Sequence, residues 1–131
     1  MSLLGGKFLC IRRSNDISQT GSFVPAPTVN DHDDNIYGTH HARDAVGLFK
    51  TMDLDLNLFS SALKINSQYM HVVWFNLELK EQTNKDKVLH LLQRDKRVAL
   101  TEHHSANTVF SFGRDQGQYG RLLNQTVVVE D

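Results

Sequence analysis

The segment Tyr69–Lys80, YMHVVWFNLELK, constrains the fold more than any other part of the sequence. It is rich in β-branched and aromatic residues, which predicts a strand. Leu56–Ile65 alternates more loosely and predicts a second strand, separated from the first by a short connection. A short connection suits antiparallel strands, because parallel neighbours need a long crossover. The sequence therefore predicts an antiparallel or mixed sheet.

The other elements follow from hydrophobic spacing along the chain. A segment of period two predicts a strand and a segment with a recurring apolar face predicts a helix. We expect an α+β fold, with the sheet covered by helices, and one domain over residues 1–131. The remaining predicted strands are Lys7–Arg13, Arg97–Thr101 and Thr126–Val129, and the predicted helices cover Ala42–Met52, the segment after Thr83 and the segment after Ser105.

Two details of these elements are specific enough to be checked. Thr83 and Asp86 have the spacing of a capping box, which predicts Thr83 as the N-cap of the second helix. Ser14–Thr39 is long and polar, with Pro25, Pro27 and Gly21 within it. A loop of that length in a compact domain is more often functional or held by a neighbouring element.

Composition excludes several classes of partner. Net charge is -1, with 14 Lys and Arg against 15 Asp and Glu, so no overall field attracts nucleic acid or an anionic membrane. The single cysteine, Cys10, is too few for an internal disulfide and suits a reducing, cytoplasmic location. Apolar runs are short, so we expect neither a membrane span nor a signal peptide.

The block from Asp31 to Asp44, DHDDNIYGTHHARD, gathers histidines and aspartates. Imidazole and carboxylate groups are good ligands for zinc or iron. The block contains no helix-borne pair of the His-x-x-x-His kind, however, and its composition is that of a loop. We therefore favour a solvated acidic loop and expect no metal, with a metal-binding module as the alternative.

His71, Arg12 and Arg13 are the residues best placed for chemistry. His71 alternates with the more apolar positions of its strand, where it is either a general base or, as spacing alone favours, a histidine that hydrogen-bonds to backbone. Arg12 and Arg13 end a predicted strand and could bind phosphate through guanidinium groups. Adjacent strand residues point to opposite faces, so at most one arginine faces a given site. Composition alone favours ordinary surface charge.

Five short segments, taken in order, resemble the catalytic domain of archaeal-type (type II) glyceraldehyde-3-phosphate dehydrogenases. IRR resembles the family's VRR, FVPAP its IVPDP, and QYMH the TLMH that carries its catalytic histidine. THH, followed by Asp44, resembles SHHGPD, and the C-terminal SANTVFSFGRDQGQYGRLLNQTVVVED resembles STAQLMEFARDLGRPRNDLYEVVVWED. These segments are Ile11–Arg13, Phe23–Pro27, Thr39–His41, Gln68–His71 and Ser105–Asp131.

The resemblance implies the fold of that family's C-terminal (catalytic) domain, a mostly antiparallel or mixed sheet with helices packed on one face. It also implies a function. The family performs an NAD- or NADP-dependent, phosphorylating oxidation of an aldehyde phosphate, through a cysteine thiolate and a histidine base. By position, His71 is the implied base, and Arg12, Arg13, His40 and His41 are the implied phosphate-binding residues. The implied partners are a phosphorylated small-molecule substrate and further copies of the same chain.

Three departures from the family limit what the chain is expected to do. The Ser-Cys-Asn-Thr-Thr motif with the nucleophile is absent, and Cys10, inside a predicted strand, does not replace it. The nucleotide-binding domain is also absent, and Val73 stands where the family often has a second histidine. We therefore expect an excised catalytic-domain segment of a larger enzyme, inactive alone and without bound NAD or NADP. The alternative is a non-catalytic oligomerisation or ligand-binding domain of the same fold.

Overall fold

The computed structural model describes residues 2–14, 27–29, 33–66, 70–116 and 126–130. They divide into two compact units, Met1–Glu81 and Gln82–Asp131, and each unit is described by itself. The single domain expected over residues 1–131 stays a prediction.

The first unit contains a four-stranded mixed sheet and one helix. The sheet has the order β2-β5-β1-β6, with β1 parallel to β5 and antiparallel to β6. This confirms the predicted α+β class with a mixed sheet. The elements of the unit are β1 (Leu3–Arg13), β2 (Thr28–Val29), β3 (Asp33–Asp34), β4 (Gly38–Thr39), α1 (His40–Lys50), β5 (Asn57–Ile65) and β6 (Val72–Leu79).

Strands β5 and β6 are consecutive in the chain but are not hydrogen-bonded neighbours, because β1 lies between them. They run in opposite directions, as their short connection requires, yet each pairs with β1. The parallel pair β1–β5 is joined through α1, the kind of crossover that parallel strands need. The loop predicted over Ser14–Thr39 is held in part by β5, where Thr28 and Val29 pair with Lys64 and Leu63.

The core of the first unit lies between α1 and the sheet. Ala42 and Val46 form the buried face of α1 and pack with Leu56 and Leu58. The helix begins two residues earlier than the spacing predicts, at His40. Removing these apolar groups from water is the main stabilising contribution at this contact.

A tight turn sets the start of α1. Gly38 has φ 78, in the left-handed region, and a Cβ there would collide with the Ser60 carbonyl and the Phe59 ring. Glycine alone fits this close approach. The N-cap residue Thr39 is fully buried, and its hydroxyl lies 2.6 Å from the Ser60 hydroxyl. The turn therefore fixes the first turn of α1, including His41, against β5.

The second unit consists of α2 (Lys85–Arg94), β7 (Val98–Thr101), α3 (Ala106–Gln116) and β8 (Thr126–Val129). β7 and β8 pair in parallel, and both helices pack on these strands. No described helix is long and apolar enough to cross a membrane.

The predicted cap of α2 was wrong by one residue. The N-cap is Asn84, whose side-chain oxygen accepts a hydrogen bond from the Lys87 amide at 3.0 Å. Asparagine is at least as good an N-cap as threonine, and Asn84 occupies the position with extended backbone angles. The Thr83 hydroxyl is buried and finds no hydrogen-bond partner among the residues that the structure describes.

Candidate functional site

A cavity of about 490 Å³ lies between α1 and the four-stranded sheet of the first unit. It combines a mostly apolar wall with five polar side chains, those of Arg12, Thr39, His41, Ser60 and His71. The described residues that line it are Leu3, Phe8, Cys10, Arg12, Thr39, His41, Ala42, Ala45, Phe49, Leu58, Ser60, His71 and Val73.

The two predicted arginines are separated by the strand that carries them. Arg12 lines the cavity together with Phe8 and Cys10, which alternate with it on the α1 side of β1. Arg13 is not among the lining residues, as expected for its neighbour in a strand. Arg12 is half-buried, and no carboxylate among the described residues forms an ion pair with it. The cavity therefore contains a half-buried guanidinium group that has no carboxylate counter-ion among the described residues.

His71 precedes β6 directly and lines the cavity. Its Nδ1 accepts a hydrogen bond from the Arg13 amide at 3.1 Å. A neutral imidazole that accepts at Nδ1 carries its proton on Nε2. In this tautomer Nε2 is a hydrogen-bond donor, and a base role at Nε2 requires the ring to give up the bond to Arg13. Arg13 thus contributes to the site through its main chain.

The two histidines of α1 that were predicted as site residues also differ in their position relative to the cavity. His41 lines the cavity, while His40 is not among the lining residues. Their rings lie against one another, with centroids 4.0 Å apart and an interplanar angle of 48°. His40 therefore contacts the lining of the cavity through the His41 ring.

Cys10 is in the cavity wall next to Arg12, but its environment does not favour a nucleophile. Burial raises the pKa of the Cys10 thiol above its ordinary value, and the Arg12 guanidinium lowers it by less. The thiolate is the nucleophilic form, so this thiol is neutral and weakly reactive near neutral pH.

Sequence reasoning missed Thr39 and Ser60, which supply a buried hydroxyl pair to the cavity wall. Their partnership joins β4 to β5, and no local spacing in the sequence indicates it. Cys10 and Phe8, in contrast, were predictable as neighbours of Arg12 in the cavity, because alternate residues of a strand lie on the same face of the sheet.

The acidic block does not assemble a metal site within the described residues, where no group of three or more His, Cys, Asp or Glu lies close enough to hold an ion. Asp31 and His32 lie outside those residues. Asp34 has a structural role: its Oδ1 accepts from the Ile36 and Tyr37 amides, both at 3.0 Å, and its Oδ2 is 3.3 Å from Arg43 Nη1. These bonds, those from Tyr37 and Ile36 above all, hold the pKa of Asp34 below its ordinary value.

The cavity does not fit NAD or NADP. A dinucleotide carries a pyrophosphate that needs a glycine-rich turn opening a helix, or several cationic groups. The described lining contributes one guanidinium and no such turn.

Comparison with known proteins gives one informative relationship. The chain is 27% identical over 97 residues to a glyceraldehyde-3-phosphate dehydrogenase of Methanopyrus kandleri. The match covers 71% of this chain and 27% of that protein, so the chain spans about a quarter of its relative's length. No protein-family model matches the chain. The match supports a distant relationship to glyceraldehyde-3-phosphate dehydrogenases.

Proposed function

We propose that this chain is the substrate-binding part of a glyceraldehyde-3-phosphate dehydrogenase-like oxidoreductase of the archaeal type. The observation that carries the proposal is that Arg12, His41 and His71, far apart in sequence, line the same cavity. These are three of the five site residues predicted from the sequence. The distant match to the Methanopyrus kandleri enzyme supports the same assignment.

Each of the three side chains has a role that its chemistry supports. The Arg12 guanidinium can bind a phosphate through two parallel hydrogen bonds, and it has no described carboxylate partner to displace. His41 adds a second polar group on the α1 side. His71, with its proton on Nε2, can donate to the aldehyde oxygen and stabilise negative charge as it develops there.

The two other predicted residues act indirectly in this proposal. The Arg13 amide orients the His71 ring through the bond to Nδ1. His40 supports the His41 ring. His71 remains the proposed acid or base of the reaction. Because its proton is on Nε2, it first acts as a hydrogen-bond donor or acid at that atom.

The parent enzyme is proposed to use NAD or NADP, which accepts the hydride from the substrate when it is bound. The nucleophilic thiolate comes from outside the lining of this cavity, because Cys10 is held as a neutral thiol. We expect the isolated chain to bind the phosphorylated substrate but to have no dehydrogenase activity. A cytoplasmic location stays a prediction.

The direct test is calorimetric titration of the chain with glycerol 3-phosphate, an unreactive relative of the substrate. We expect Arg12→Gln to weaken binding by roughly tenfold or more, since hydrogen bonds to charged groups contribute about 1.5–3 kcal/mol. Arg13→Gln is the matched control, because it removes the same charge from the neighbouring position and retains the backbone amide. Equal losses in the two variants would contradict the proposed role of Arg12.

A second candidate function is self-association, favoured by β6. Every residue from Val72 to Glu78 is exposed, and the outer edge of the strand pairs with no described strand. A long, apolar, open edge is a template for pairing with another chain. We propose a homo-oligomer formed through this strand, which is tested by sedimentation velocity at two protein concentrations.

A further inference from the structure

The lining of the cavity is more apolar than a glyceraldehyde phosphate requires. The large apolar side chains of the described lining are Leu3, Phe8, Phe49, Leu58 and Val73. A volume of about 490 Å³ is within the range of sites for small organic ligands. A three-carbon phosphate ester with a hydroxyl on its middle carbon has almost no apolar surface to set against these side chains.

The described lining contains few polar side chains, and one of them is cationic. Arg12 is the cationic side chain of the described lining, and it has no described ion-pair partner. The Cys10 thiol beside it is neutral at ordinary pH, because burial raises the pKa of that thiol, so it is no counter-ion. A half-buried guanidinium next to an apolar wall is costly without an anion. A bound anion would remove that cost.

Three of the other polar groups of the wall already form hydrogen bonds within the protein. The Thr39 and Ser60 hydroxyls bond to each other at 2.6 Å, and His71 Nδ1 accepts from the Arg13 amide. A ligand with several hydroxyl groups would have to compete with these bonds. A ligand with one charged end and an aliphatic remainder would leave them in place.

We propose that the cavity takes a phosphate ester with an aliphatic tail, its phosphate at Arg12 and its tail against Phe8, Phe49 and Leu58. This rests on the proposed function in taking Arg12 as the phosphate-binding residue. Within the phosphorylated substrates of the proposed function, it favours esters that carry a longer apolar chain over short hydroxylated phosphates.

The test compares three small probes by calorimetric titration of the full chain: hexyl phosphate, glycerol 3-phosphate and hexanol. Hexyl phosphate should bind roughly tenfold or more tightly than glycerol 3-phosphate, because two or more additional methylene groups leave water. Hexanol, with the tail and no charge, should bind far more weakly than hexyl phosphate. Hexanol binding as tight as that of hexyl phosphate would overturn the inference.

Two pairs of variants test the geometry. Arg12→Gln should abolish most of the hexyl phosphate affinity and Arg13→Gln should not. Ala45→Leu adds bulk to the apolar wall, so it should weaken hexyl phosphate while leaving glycerol 3-phosphate unchanged; an amide NMR spectrum checks that this variant is folded. Hexyl phosphate binding that survives Arg12→Gln would contradict the inference.

The outcomes separate this inference from the proposed function. Glycerol 3-phosphate binding as tightly as hexyl phosphate, with dependence on Arg12, overturns the aliphatic tail and supports the proposed function. If hexyl phosphate binds in an Arg12-dependent way and glycerol 3-phosphate does not bind, the inference is supported and a glyceraldehyde phosphate is contradicted as the substrate. Absence of binding by both phosphates overturns both.

Discussion

Strands β5 and β6 flank the same central strand, β1, yet their environments differ. In β5, Ala62 is 2% exposed, and Leu58, which packs with α1, is 5% exposed. In β6, which has the more apolar sequence, Trp74 is 59% exposed. The difference shows that apolar spacing identifies a strand, whereas its burial depends on which elements later cover it. α1 covers the β5 half of the sheet, and β6 is the outer strand.

The largest effect expected from this comparison is on stability. Leu58→Ala should lower the free energy of unfolding by about 2–5 kcal/mol, since it leaves a cavity in a packed core. Leu77→Ala in β6 is the matched change, on the same face of the sheet but at a residue that is 43% exposed. It should cost about 1 kcal/mol or less. Urea denaturation measures both, and equal costs would mean that the exposed half of the sheet is covered in solution.

The next effect concerns the exposed strand as an interface. Trp74→Lys places a charge in the middle of β6 and should raise the dissociation constant of the self-associated chain by roughly tenfold or more, as tryptophan is often dominant in interfaces. Glu78→Lys, near the end of the same strand, is the control for a charge change away from the centre. Sedimentation velocity measures both. A wild-type chain that stays monomeric at high concentration would contradict the proposed interface.

The third effect tests how the turn before α1 holds the covered half of the sheet. Gly38→Ala should cost about 1–2 kcal/mol or more, because φ is positive and the added Cβ meets the Ser60 carbonyl. Gly47→Ala in α1 is the opposite case, since nothing lies within 4 Å of its added Cβ. It should stabilise by about 0.5–1 kcal/mol. Thermal unfolding of the two variants should therefore shift in opposite directions, and shifts of the same sign would refute the described turn.

The smallest effect is a pH dependence at Cys10, which lies between Ala62 of β5 and Val73 of β6. Its pKa is raised in the folded state by burial. The protonated Cys10 thiol therefore contributes to the free energy of unfolding. This contribution is fully present below the ordinary pKa of cysteine and is lost as the pH rises through the pKa of Cys10 in the folded state. Cys10→Ser should remove this alkaline loss. The wild-type thiol should also react slowly with iodoacetamide near neutral pH, and reaction as fast as that of a free thiol would contradict its burial.

Much of the fold could be predicted from local spacing. The strand Thr126–Val129 was predicted with its observed bounds, and β5, β6 and α1 were predicted within a few residues. The insertion of β1 between β5 and β6 could not be predicted, because strand pairing is a long-range choice that local alternation leaves open. The Thr83 cap failed for a local reason, since two good capping residues are adjacent and spacing does not distinguish them.

The site was predictable to the same extent. Alternation along β1 was sufficient to separate Arg12 from Arg13, and the position of His71 at the start of a strand was visible in the sequence. The meeting of Arg12, His41 and His71 in one cavity depends on the crossover through α1 and on the Thr39–Ser60 bond. These are tertiary contacts, which no single segment encodes. The resemblance to a known family supplied the residues that geometry later brought together.

The central claim is that Arg12, His41 and His71 form one anion-binding site, and NMR titration of the isotope-labelled chain with glycerol 3-phosphate or hexyl phosphate tests it most directly. We predict saturable shifts of the Arg12 guanidinium and of both imidazole rings with a single dissociation constant, and no comparable shift of the Arg13 side chain. Shifts confined to Arg13 and other exposed cations, or separate constants for Arg12 and His71, would contradict the account.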